Sequence, residues 1–171
     1  FVRQGLKILA SRKRIGIAAL SDQIKIDQEL SAYHLGFLLG PRINAGGRIG
    51  KSDLGAQLLI SQDLEAAKAM AERLDQLNFE RQELEKQIKE EALEQAIHQK
   101  SIDSLAWAAG ESWHPGVVGI VASRLKEATN LPSIVIGFEG LIGKGSGRSI
   151  SGVDLGFAIQ KLVSEGLLLT G

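Results

Sequence analysis

Apolar positions at Val2, Leu6, Leu9, Ile15 and Leu20 recur among basic residues and predict helix over 1–20, broken at Ser11-Arg12-Lys13-Arg14. A second short helix is predicted over 29–39, ended by the strong breaker Gly40-Pro41. A third runs from Lys51 to Ser61, with Ser52 or Asp53 as its cap. From Leu64 to Ile97 the chain has neither Gly nor Pro, and Leu64, Ala67, Ala71, Leu74, Leu77, Leu84, Ile88, Ala92 and Ala96 follow steps of three, four or seven. Such a segment, starting near Ser61 or Asp63, forms one helix, and about 35 residues at about 1.5 Å each reach about 50 Å. With its acidic outer face it reads as a connector between domains, with a coiled-coil arm as the alternative.

Beyond Ser101 the pattern changes period. SLAWAAGE (104–111) is a short apolar run, VVGIVASRLKEAT (117–129) is helical, and PSIVIGFEG (132–140) is rich in β-branched residues. LIGKGSGRSI (141–150) reads as a strand that starts or ends in a glycine loop, and VDLGFAIQKLVSEG (153–166) as a helix capped by Asp154. Strand, helix, strand, strand, helix is an α/β arrangement. The predicted organisation is a helical part over 1–61, a connecting helix over 62–100 and an α/β part over 101–171, the last small for an independent core and unfinished in outline.

The chain has 171 residues, 44% of them hydrophobic and 23% charged, which suits a globular protein. No apolar run spans a bilayer, and FVRQGLKILASRKR lacks the order of a signal peptide, so a cytoplasmic protein without membrane contact is expected. Without cysteine there is neither a disulfide framework nor a thiolate metal site, and His34, His98 and His114 show no ligand spacing. The net charge of zero hides a gradient. Residues 1–61 hold nine Lys/Arg against four Asp/Glu, residues 62–100 six against ten, and residues 101–171 five against six. A polyanion would therefore meet the first third of the chain.

Three stretches carry candidate chemistry. In GPRINAGGRIG (40–50) the tail Gly50-Lys51-Ser52 invites a phosphate-loop reading, but the required glycine is replaced by Ala45. What remains is a backbone able to approach a ligand at Gly46 and Gly47, with Arg42 and Arg48 offering bidentate bonds to phosphate and Asn44 serving loop or ligand. An irregular turn with two exposed arginines explains it equally well. In WHPGVVGIVA (113–122), His114 stands at a helix start beside N–H groups that attract anions, or simply caps the helix. GKGSGRS (143–149) fails the dinucleotide pattern, yet Ser146, Gly147, Arg148 and Ser149 suit a sugar-phosphate backbone lying along a strand edge. A plain glycine hairpin is the alternative.

The order of these stretches is similar to that of the DHH phosphoesterase superfamily, and within it to the branch specific for single strands. PRINAGGRIG (41–50) resembles the motif that closes the family's catalytic domain, WHPGVVGIVASRL (113–125) and GSGRSI (145–150) resemble the opening motifs of its DHH-associated domain, and 62–100 resembles the connector. FVRQGLKIL resembles the helix after the family's last metal motif. The resemblance implies 5′-to-3′ exonuclease action on single-stranded DNA, in repair and recombination, with two Mn²⁺ or Mg²⁺ ions. It also implies that the metal ligands lie outside this chain, which contains no Asp-His-His motif. This chain is accordingly expected to be a fragment, inactive in hydrolysis by itself, in which Arg42, Asn44, Arg48, His114, Ser146, Gly147, Arg148 and Ser149 contact substrate phosphates. Two alternatives stand beside that expectation: a family member acting on short oligonucleotides or cyclic dinucleotides, and a replication scaffold that has lost its ligands.

Overall fold

The computed structural model describes residues 1–98 and 104–171, which form two compact units, Phe1–Glu83 and Leu84–Gly171. The boundary expected between 100 and 101 lies outside the described residues.

The first unit is helical: α1 (Val2–Ala10), α2 (Ile15–Gln23), a π-helical segment (His34–Leu39), α3 (Gly40–Ile49), α4 (Leu54–Ile60) and the first part of α5 (Leu64–His98). Leu20, Leu39, Leu58, Ala67, Ala71 and Leu74 are buried together, so one face of α5 supplies much of this core. Close helix contact depends on glycine at two points. A Cβ on Gly16 would lie 1.8 Å from the Leu58 carbonyl oxygen, and one on Gly55 would lie 2.7 Å from that of Ile43. These contacts bring α2 and α3 onto α4.

The expectation that Gly40-Pro41 ends a helix is wrong. The chain passes from the π-helical turn directly into α3, with Pro41 in its first turn. Proline clashes with the carbonyl four residues back in a regular helix, and the wider turn preceding it removes that conflict. Gly40 N–H reaches back to Leu35 O, and a Cβ on Gly40 would lie 2.7 Å from that same oxygen. The long helix agrees with its periodicity: α5 runs Leu64–His98, and Asp63 Oδ1 accepts from Ala66 N at 2.7 Å. At α4, Asp53 holds the N-cap position without a side-chain cap bond and accepts instead from Gln57 Nε2 at 2.7 Å.

The second unit carries a three-stranded sheet ordered β1 (Ala106–Glu111), β2 (Ser133–Glu139) and β3 (Ile142–Arg148). β1 and β2 are parallel and joined through α6 (Pro115–Thr129), whereas β2 and β3 form an antiparallel hairpin. Alternation decides the faces. Ala106, Ala108, Ser133 and Val135 are buried, as are Val117, Val121, Ala122 and Leu125 of α6, and Ser133 Oγ donates to Ala122 O at 2.6 Å. The later part of α5 belongs to this unit. Gln95 donates from Nε2 to Ala109 O and accepts at Oε1 from Ala109 N, both at 3.0 Å, while Glu91 Oε2 accepts from Trp113 Nε1 at 2.9 Å. The unit ends with α7 (Leu155–Ser164), where Asp154 accepts from Phe157 N at 2.8 Å.

Candidate functional site

The glycines of 143–148 lie within β3, not in a loop at its end. Their spacing of two puts Gly143, Gly145 and Gly147 on one face, where added Cβ atoms would meet Phe138, Ile136 and Leu155 at 2.8, 3.3 and 2.7 Å. The same alternation carries Lys144, Ser146 and Arg148 to the face that α6 covers. There the Arg148 guanidinium is held at three points. Its Nε donates to Ser123 Oγ at 3.0 Å, and its Nη1 donates to Ser146 Oγ at 3.1 Å and to Gly147 O at 2.7 Å. Arg148 is nevertheless exposed, and so is Ser149, whose hydroxyl donates to Val153 O at 2.5 Å. The result is a cation of fixed direction at a surface, an arrangement suited to an anionic oxygen.

Two members of this cluster escaped the sequence reading, although both lie inside WHPGVVGIVASRL. Ser123 holds Arg148 Nε, and Gly119 makes room for it: a Cβ there would come within 3.1 Å of Ser146 Oγ and 3.2 Å of Arg148 Nη2. Their spacing of four, placing both on one face of α6, was the available signal.

GPRINAGGRIG is helix α3, so the expected flexible loop with backbone open at Gly46 and Gly47 does not exist. Gly46 is buried, with a Cβ position 3.0 Å from Lys51 O and 3.2 Å from Leu74, and only Gly47 faces open space. At about 100° per residue, Asn44 and Arg48 share an exposed face while Arg42 stands about 120° away from Arg48. Arg42 is turned inward. Its Nε donates to Asp75 Oδ1 at 2.7 Å and its Nη1 to Leu38 O at 2.9 Å, the paired side chains being 19% and 31% exposed. Leu38 O thereby gains a partner beside the π-helical turn. The two arginines expected to act together are thus assigned to different surroundings.

His114 caps α6. Its Nδ1 accepts from Gly116 N at 3.0 Å, while its carbonyl oxygen accepts from Val117 N at 2.9 Å and Val118 N at 3.3 Å. The first-turn amides expected to attract an anion are therefore occupied, and Pro115 has none to offer. His114 also follows the carboxyl end of β1, whereas Arg148 pairs with Ser133 at the opposite end of β2. The structure separates it from the Ser146–Arg148 cluster.

Among the described residues, no three metal-ligating side chains converge, and no helix is long and apolar enough to cross a membrane.

No family model matches the sequence. Curated relatives do match it: the chain is 42% identical to the single-stranded-DNA-specific exonuclease RecJ of Dickeya dadantii over 94% of its own length and 29% of that protein. It is 41% identical to the same exonuclease of Escherichia coli over 93% of its length and 29% of the relative, and 40% identical to that of Bacillus subtilis over 88% and 20%. In fold it matches Thermus thermophilus RecJ in complex with Mg²⁺ with a TM-score of 0.82 and 31% identity, covering 98% of this chain and 26% of that one. An exonuclease RecJ bound to manganese matches with a TM-score of 0.79 and 30% identity, covering 93% and 39%. The chain thus spans about 29% of the length of the first of these relatives, and over that span sequence and fold together assign it to the RecJ family.

Proposed function

We propose that this chain is the substrate-side portion of a metal-dependent exonuclease of the DHH type, which removes nucleotides from single-stranded DNA in the 5′-to-3′ direction during repair and recombination in the cytoplasm. In this reading residues 1–61 close the catalytic domain, 62–100 connect, and 101–171 open the DHH-associated domain. The observation that carries it is the Arg148 guanidinium, exposed yet fixed by Ser123, Ser146 and the Gly147 carbonyl.

A fixed, exposed fork of N–H donors loses little freedom on meeting a phosphate, and the neighbouring Ser146 hydroxyl adds a further polar group within reach. Gly147 gives the guanidinium its carbonyl oxygen, and Ser149 bounds the site. Asn44 and Arg48, exposed on α3, form a second contact line in the part of the chain where positive charge is concentrated. Arg42, engaged with Asp75, supports α3 from within instead of clamping a phosphate. Contacts of this kind read the sugar-phosphate backbone, so base preference arising from them is slight.

The divalent ion named with the RecJ structures supplies charge neutralisation and activated water when bound. The described residues do not bring together a ligand set that fits it, and their own contribution is to hold and orient the strand.

Binding of a fluorescent single-stranded oligonucleotide, followed by anisotropy across a salt series, tests the reading. Arg148→Ala should weaken binding and reduce the salt slope by about one ion. A slope equal to that of the unaltered chain would remove Arg148 from the contacts and the reading with it.

A further inference from the structure

Arg148 ends β3, but part of what fixes its direction belongs to α6. Ser123 of that helix is half-buried, and its hydroxyl proton is already committed: Oγ donates to the Gly119 carbonyl oxygen at 3.3 Å, one turn back. A hydroxyl has a single proton, so with that proton spent the oxygen can only accept. What it accepts is the Nε–H of Arg148, at 3.0 Å, from a residue 25 positions further along the chain. The path from Arg148 Nε through Ser123 Oγ to Gly119 O therefore runs in one sense only.

Counting donors shows what this leaves for a ligand. A guanidinium has five N–H groups. Nε spends its one on Ser123, and the two of Nη1 are met by Ser146 Oγ at 3.1 Å and the Gly147 carbonyl oxygen at 2.7 Å. The two N–H groups of Nη2 have no acceptor among the described residues. Nη2 is also the nitrogen nearest Gly119, where a Cβ would stand 3.2 Å from it and 3.1 Å from Ser146 Oγ. So α6 acts on Arg148 twice, gripping Nε through Ser123 and leaving room for Nη2 at Gly119. An exposed arginine without such a grip samples many rotamers, and ordering it on a ligand costs affinity.

We propose that Ser123 is a positioning residue for strand binding: it holds the Arg148 guanidinium so that the two N–H groups of Nη2, and not the Nε edge, meet the phosphate, while Gly119 keeps the approach to Nη2 open. The ligand rests on the single-strand reading above. The fixed direction of Arg148 does not, and the two are measured separately.

The direction is read first, without DNA. In ¹H–¹⁵N spectra of the whole chain the Arg148 Nε–H, assigned by its disappearance in Arg148→Ala, should exchange with water more slowly than the Nε–H groups of other exposed arginines. Ser123→Ala should bring it to their rate, and Ser123→Thr, which keeps the hydroxyl, should retain the slow exchange. Binding of a labelled single-stranded oligonucleotide is measured next. Ser123→Ala should weaken it about fivefold, the worth of one hydrogen bond, with the salt slope unchanged because the charge remains. In an Arg148→Ala background the same substitution should have no effect, since its partner is gone. Gly119→Ala should weaken binding while the urea midpoint holds or rises, alanine being the better helix former. Fast exchange of the Arg148 Nε–H in the unaltered chain overturns the proposal. So does an undiminished affinity in Ser123→Ala, or an equal loss with and without Arg148, and in both cases the single-strand reading stands. Slow exchange in a chain that binds no oligonucleotide leaves the hold of Ser123 on Arg148 in place and removes the single-strand reading.

Discussion

GPRINAGGRIG in the first unit and LIGKGSGRSI in the other share a composition, each a run of glycines studded with cations, yet one is helix and the other strand. The difference lies in where the glycines must be small. In α3, Gly46 faces Leu74 and the Lys51 carbonyl while Gly47 faces nothing, so the pair has no common face. In β3 all three glycines lie on one face under larger side chains, and that regularity lines Lys144, Ser146 and Arg148 on the other. The consequence for the cations is opposite. Arg42 is drawn into its own unit by Asp75, and Arg148 is held outward by hydroxyls and a carbonyl. Glycine-rich composition alone therefore says little about a phosphate site; the period of the glycines and the partners of the cations decide it.

The contact of α3 with α4 is the point at which one added methyl group should do most damage. Gly55→Ala introduces a Cβ 2.7 Å from the Ile43 carbonyl oxygen, a backbone atom that cannot swing aside. Overpacking of this kind should cost about 3 kcal/mol. Because Trp107 and Trp113 both belong to the second unit, urea unfolding should show loss of helical circular dichroism well before the tryptophan transition moves. Coincident shifts of both signals would mean that the units do not unfold separately.

Releasing Arg42 is the more discriminating change. Asp75→Ala removes a partly exposed partner, so the stability loss should stay near ~1 kcal/mol after allowance for solvent screening. Arg42 would then become available to a strand, and oligonucleotide affinity should rise with a salt slope steeper by about one ion. Unchanged or weaker binding would show that α3 positions other groups and that Arg42 contributes only to the fold.

The smallest effect is expected at Gly47, which has helical surroundings and open space. Gly47→Ala should raise the stability of the first unit by about 0.5–1 kcal/mol, seen as a higher urea midpoint. If oligonucleotide binding falls at the same time, a ligand approaches α3 at Gly47 closely enough to need the missing side chain.

These contrasts show what could be read from the chain. The helix over 64–97 was legible because its apolar spacing persists without interruption, and β2 because its β-branched run stands between turn residues. Asp154 was legible as the cap of α7, and the start of α5 near Asp63, because helix starts are marked locally. GPRINAGGRIG was not legible as a helix because Pro41 breaks helix interiors, whereas in a first turn, after a widened one, proline is tolerated. The pairing of Arg42 with Asp75 and of Arg148 with Ser123 joins residues far apart in the chain. No local pattern encodes such partners. His114 was correctly seen as standing at a helix start, but its own cap bonds fill the amides that made the position attractive for anions.

The bonds from Gln95 to both backbone groups of Ala109 have a consequence for the sheet as a whole. A side-chain amide repeats the donor and acceptor of one peptide unit, so at the middle of β1 it occupies the place that a neighbouring strand would take. A single glutamine thus seals the middle of that margin, and a further strand that paired with β1 there would first have to displace both of its bonds to Ala109.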